Sequence, residues 1–207
     1  MTETANEIGR AHTAGRPRTV SDEAILGAAL AVIGREGPAR LTLALVGEEV
    51  GLSPSTLVQR FGSKQGLLLA ASRFGTGMVE VMFQDASATT ASPLEALFQA
   101  LSDLPGDIDT PERLANHVAF LQLDLADLEL RALAVEHARI MRTQIRRLLD
   151  EAVTCGELRQ CNTTDLTEAV YAIVSGALIT WALGGEGDPS AWLRARVGFL
   201  LDCFRTE

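Results

Sequence analysis

Aromatic side chains and cysteines are both scarce in this chain, and each scarcity closes off a class of protein. Aromatics are 5% of 207 residues while hydrophobic residues reach 47%, so the core must be built mainly from alanine and leucine, which pack helices more readily than sheets. Cysteine occurs at 155, 161 and 203, an odd count with no CxxC pair, so neither a disulfide framework nor a zinc ribbon is written here. Cys155 and Cys161 flank Gly156, which leaves a redox pair open beside the plainer reading of ordinary thiols. His12, His117 and His137 are scattered without ligand spacing, so no metal is expected. There is no Ser/His/Asp set and no glycine-rich phosphate loop, so neither catalysis nor a cofactor is expected. No apolar run reaches the roughly 18–20 residues that cross a bilayer. The opening MTETANEIGRAHTAGRPRT lacks the apolar stretch of a secretory leader. The expectation is a cytoplasmic protein with no membrane partner.

A net charge of −9 argues at first against nucleic acid, yet the charge is unevenly placed. Between Arg10 and Lys64 stand seven basic residues (Arg10, Arg16, Arg18, Arg35, Arg40, Arg60, Lys64) against five acidic ones (Asp22, Glu23, Glu36, Glu48, Glu49). From Ser53 to Lys64 there is no acid at all. A basic end joined to an acidic body suits a polyanion-binding head.

Apolar residues recur at helical spacing along the whole chain. Ile25, Ala28, Ala29, Val32 and Ile33 form one stripe, which Gly37-Pro38 ends. Leu67 to Met82 forms another, weakened at Gly75 and Gly77, followed by DASATTASP, which reads as a loop. Helices are expected from Ser92-Pro93, from Thr110-Pro111 and over roughly 125–155 with Gly156 beyond it. Two more cover roughly 164–183, apolar on nearly every side, and the Trp192–Phe204 region. Arg139, Arg142, Arg146 and Arg147 sit one turn from Asp150 and Glu151, a solvated and paired face before an anion site. The chain is all-α, with about nine helices. Its expected units are a disordered basic arm over 1–18, a three-helix head over 19–65, and a helical body over 66–207 that binds ligand and dimerises.

The segment LTLALVGEEVGLSPSTLVQRFGSK, residues 41–64, carries most chemical information. Thr42 is placed to cap a helix whose Leu43, Val46 and Val50 face inward. Gly51 supplies the left-handed residue that ends it. Ser53 and Pro54 have the form of an N-cap with proline at the first helical position, and Leu52 and Leu57 occupy the two staple positions. The new helix buries Leu57 and Phe61 and offers Ser55, Thr56, Gln59 and Arg60, groups that read base edges and phosphates in a major groove. Ser63-Lys64 starts the next helix. Two helices joined by a glycine turn can be plain structure, but turn, cap, proline and staple coincide here as in a helix-turn-helix.

Residues 25–69 resemble the DNA-binding domain of the tetracycline-repressor (TetR) family of bacterial regulators. The resemblance rests on the stripe ending at Gly37, on Leu41-Thr42, on Val46-Gly47-Glu48-Glu49-Val50-Gly51-Leu52-Ser53, and on Phe61-Gly62-Ser63-Lys64 running into Leu67-Leu68. It implies that Thr42 and Lys64 meet backbone phosphates, that Ser55, Thr56, Gln59 and Arg60 lie in or beside the major groove, and that Ser53 is among the DNA-binding residues. The chain departs from the family pattern at Val58, where a tyrosine is usual, at Arg60, commonly histidine, and at Ala44, often a longer polar residue.

The same resemblance implies a homodimer through the last two helices, a palindromic DNA operator, and release of a repressor by a small-molecule effector held in the body. Phe98, His117, Phe120, Gln122, His137, Met141, Tyr171 and Trp181 are the candidate lining, with ordinary core packing as the competing reading for each. Sparse charge on these faces points to a mostly apolar effector. The alternative function is a helical small-molecule-binding protein or enzyme that keeps a worn helix-turn-helix. Arg16-Pro17-Arg18 reads either as a solvated tail or as a minor-groove contact.

Overall fold

The computed structural model describes residues 20–206. It consists of α1 (Asp22–Glu36), α2 (Leu43–Val50), α3 (Pro54–Phe61), α4 (Lys64–Thr89), α5 (Pro93–Asp103), α6 (Pro111–Ala126), α7 (Leu128–Thr154), α8 (Thr163–Ala182) and α9 (Pro189–Asp202). Among the described residues the only extended pairing is a single bridge between Leu158 and Arg205. The all-α expectation holds, and local chemistry explains where the helices start. Ser21, Thr42, Ser53, Ser63, Ser92, Thr110, Asp127, Asn162 and Asp188 each cap a first turn with their side chain. Proline stands in the first turn of α3, α5, α6 and α9, where its missing N–H has no helical partner to lose.

Two boundaries differ from the sequence expectation. Residues 85–89, read as loop, continue α4. Ala86 is buried there, and the hydroxyls of Ser87 and Thr89 bond back to the carbonyls of Phe83 and Asp85 instead of competing for the backbone. The break expected before residue 125 falls at Asp127, which closes α6 and caps α7: its Oδ1 accepts from the amides of Glu129 and Leu130. Its Oδ2 accepts from Gln65 Nε2 at 3.0 Å, so the start of α4 meets the same carboxylate. At the other end Arg147 of α7 donates to Ser87 of α4, and the two long helices run side by side in one direction.

The apolar residues gather in two main clusters. One holds Ile25, Val32, Leu41, Val46, Leu57 and Leu67 of α1–α4 together with Leu130 of α7, and Phe120, Leu123 and Leu133 pack on it. The other joins Phe83, Leu97, Ile145, Leu149, Val170, Val197 and Leu201 from α4, α5, α7, α8 and α9. Among the described residues α4 is the one helix long and apolar enough, by length and composition, to cross a bilayer. Gly66, Gly75, Thr76 and Gly77 interrupt its apolar sequence, and it lies in the bundle with Leu67, Leu68, Val79 and Phe83 buried.

Candidate nucleic-acid interface and body groove

The turn between α2 and α3 is set by two glycines. Gly51 takes φ 68°, a left-handed conformation that ends α2. Gly47 lies so close to the turn that a Cβ there would stand 2.5 Å from the Leu52 carbonyl oxygen, and Leu52 N donates to Gly47 O at 2.9 Å. Thr42 Oγ1 accepts from Leu45 N at 3.1 Å. Ser53 Oγ accepts from Thr56 N at 3.2 Å and shares hydrogen bonds with the hydroxyls of Ser55, at 2.8 Å, and Thr56, at 2.9 Å. Leu57 is fully buried beneath α3, which fixes the helix by its inner face.

The outer face is narrower than the residue types imply. Ser55, Val58, Gln59 and Gly62 are exposed at helical spacing and form one stripe, with Val58 47% exposed. Thr56 is half-buried on the flank. Arg60 is turned away from the stripe: its Nη1 donates to the Val20 carbonyl at 2.6 Å and to Asp22 Oδ1 at 3.2 Å, at the start of α1. Lys64 Nζ donates to the Ala39 carbonyl at 3.2 Å. Arg35 pairs with Glu49 and Glu36, and Arg40 with Glu36 at 3.1 Å. The described cations of the head are thus held within the head. Arg10, Arg16 and Arg18, the expected arm, lie outside the described residues.

In the body, an open groove of about 530 Å³ runs between α6 and α8, lined by Pro111, Leu114, Val118, Gln122, Ile179 and Leu183 among others. Of the eight candidate lining residues, Gln122 is the one this groove contains. Phe98 and Met141 are buried in the body core, while Phe120 packs on the head core. Trp181 is buried behind the groove with Leu114, its Nε1 donating to Gly187 O at 3.0 Å. His117 Nε2 is buried without a hydrogen bond, 3.5 Å from Asp107 Oδ1. Burial pushes the pKa of His137 down. Tyr171 lies under the Arg142 guanidinium at 3.9 Å, and Arg142 also pairs with Glu168. Arg146 and Arg147 pair with Asp150 and Glu151 as the spacing predicts. Asn116 of α6 bridges to the head, its Nδ2 donating to the carbonyls of Gly34 at 2.9 Å and Arg35 at 3.0 Å. The α8–α9 region leaves Ile179 and Leu183, which also line the groove, and Phe199 exposed, the last two at 83% and 79%. All three cysteines are free, and no cluster among the described residues could hold a metal ion.

Residues 25–71 match the model of the family described as bacterial regulatory proteins, tetR family. An HTH-type transcriptional regulator, BetI of Rhizobium meliloti (strain 1021), is 32% identical over 129 residues, covering 61% of this chain and 63% of its own length. The helix-turn-helix over residues 25–71 is that of the TetR family. The chain's match spans just under two thirds of the BetI relative. Among solved structures, a transcriptional regulator from Saccharomonospora viridis in complex with choline superposes with a TM-score of 0.70 at 20% identity, covering 88% of this chain and 96% of that one. FadR from Bacillus subtilis, in complex with stearoyl-CoA, gives 0.64 at 22% identity over 86% and 96%. At such identities these two structures establish a shared fold.

Three features of the structure have no local signature in the sequence or were missed there. Val58 shares the stripe of Ser55 and Gln59, which a helical wheel of residues 54–62 would have revealed. The tether at Asn116 and the groove over α6 arise between segments far apart in the chain, and no local pattern announces them.

Proposed function

We propose that this protein is a cytoplasmic, homodimeric repressor that holds a palindromic DNA operator and releases it when a small molecule enters its body. One juxtaposition carries the reading: a polar stripe on α3 and an uncovered apolar face on α8 and α9 occur in one chain. The stripe suits a major groove, and Ile179, Leu183 and Phe199 suit a second copy related by a two-fold axis, which would present two such stripes about one DNA turn apart and would border the α6–α8 groove that Ile179 and Leu183 also line. In this reading the units are a basic arm over 1–18, a head over 19–65 and a body over 66–207. Ser55 and Gln59 meet base edges, with Thr56 at their flank. Thr42, Ser53 and Lys64 place their helix starts against phosphates. Arg60 acts as a brace that sets α3 on α1.

The effector enters the groove between α6 and α8, whose lining favours a mostly apolar molecule. The choline and stearoyl-CoA complexes of fold neighbours support a ligand-binding role for a body of this shape. α6 joins the two ends of the mechanism, since one face lines the groove and Asn116 on another holds the last carbonyls of α1. An effector can shift the DNA-binding state only by the difference in its affinity for the two states.

The test is a gel shift with the DNA upstream of its own coding sequence at two salt concentrations. Specific retention that weakens with salt, and is lost in folded Ser55→Ala and Gln59→Ala proteins, is the expected result. Retention by both variants equal to wild type would refute the assignment of reading residues, and a monomer by light scattering would refute the dimer.

A further inference from the structure

We infer that Val58 is a specificity-determining residue of this regulator, meeting the 5-methyl group of a thymine in the operator's major groove. The inference rests on the DNA-binding reading above and deepens it. Every other apolar side chain of α3 past the proline has an inward role: Leu57 is fully buried and Phe61 packs on the head core. Val58 instead stands 47% exposed, at one edge of the stripe it shares with Ser55 and Gln59. A β-branched residue on the outer face of an eight-residue helix gains nothing from helix propensity.

The chemistry of the stripe narrows what it can recognise. Guanine is read most often by arginine or lysine reaching O6 and N7. Arg60 is bound to Val20 and Asp22, Lys64 to Ala39, and neither belongs to the exposed stripe. What remains is a hydroxyl, a carboxamide and a pair of methyl groups. A carboxamide matches adenine N6 and N7, a methyl group matches the thymine 5-methyl, and a serine hydroxyl suits either. Gln59 and Val58 point about 100° apart, at the two edges of the stripe, so they can address neighbouring A·T pairs. The competing placement for Val58, against the sugar–phosphate backbone, would leave it indifferent to base methyl groups.

Full-length protein is used to select duplexes from a random-sequence pool, and the preferred half-site is then remade with single thymines replaced by deoxyuridine. That change keeps base pairing and removes only the methyl. Wild type should lose about fourfold in affinity for each half-site changed at that thymine, the worth of one methyl group withdrawn from water. Val58→Ala should lose a similar factor per half-site on the thymine duplex and be insensitive to deoxyuridine at that position. Val58→Ile should keep the sensitivity. Circular dichroism melts of both variants should match wild type, because the side chain lies outside the core. Sequence-specific binding that no deoxyuridine weakens, or a Val58→Ala protein that stays sensitive, overturns the inference and leaves the DNA-binding reading standing. Failure to select any sequence overturns both.

Discussion

Asn116 offers the sharpest test of how the head is held. The last carbonyls of any helix lack partners within it, and α1 finds two of its own from a side chain more than eighty positions away (separations of 82 and 81). Asn116→Ala removes both donors. Each such bond contributes about 0.5–1.5 kcal/mol net, and water can reach part of this site, so the combined loss should be roughly 1–2 kcal/mol. For a chain of this size each kcal/mol moves the melting temperature by about 2–4 °C, which gives a drop of roughly 2–8 °C. One transition is expected, because Leu130 belongs to the head core and Phe120, Leu123 and Leu133 pack on it. Asn116→Asp should be worse than alanine: it deletes the donors and adds negative charge at the C-terminal end of α1, where the helix dipole already disfavours it. The assay is a far-ultraviolet circular dichroism melt of the three proteins. A Asn116→Ala protein melting within a degree of wild type, or an aspartate variant more stable than alanine, would refute the account.

Replacing Leu183 and Phe199 together by aspartate should halve the mass seen by light scattering without lowering helix content, and a dimer surviving both changes would exclude α8 and α9 as the interface. Arg60→Met and Asp22→Asn should each weaken binding to every DNA sequence by a common factor, about tenfold for the arginine, since they loosen the seat of α3. An altered base preference would show that Arg60 reads bases itself. Asp124 is half-exposed, and burial pushes its pKa from 3.8 up to about 6. The folded state therefore resists its charge: the penalty is absent below pH 4, develops as pH rises through 6, and is complete above it. Allowing for solvent screening it amounts to roughly 1 kcal/mol, so Asp124→Asn should raise the melting temperature by about 2–4 °C at pH 7.5 and by nothing at pH 4. Equal shifts at both pH values would contradict burial as the cause.

Much of this architecture is legible locally because its punctuation is local. Ser53-Pro54, Ser92-Pro93 and Thr110-Pro111 combine a cap with a residue that can only begin a helix, and Gly51 can only end one cheaply. The errors came where a residue type has two uses. Ser87 and Thr89 favour turns in isolation but bond back to the helix when Ala86 is pulled into the core. Asp127 looks like any acid in a leucine-rich stretch until its carboxylate is seen capping α7. Arg60 illustrates the limit for the site. Its position on α3 was readable, but its direction depends on the Val20 carbonyl and Asp22 being within reach, a fact of tertiary packing. The α6–α8 groove depends on the spacing of two helices and left no pattern in either.

The single residue joining α6 to α7 also bears on how such a protein can change over generations. One residue inserted after Asp127 and taken up into the first turn of α7 would rotate the rest of α7 by about 100° and advance it about 1.5 Å relative to its cap. Leu130 would leave the head core and Ile145 and Leu149 the body core in the same event, and the contact with Gln65 would break. Point substitutions can be absorbed at this corner one at a time, whereas a change of length strikes both halves at once. Descendants of this sequence should therefore gain and lose residues in the exposed stretch between α8 and α9, and keep the α6–α7 corner at one residue.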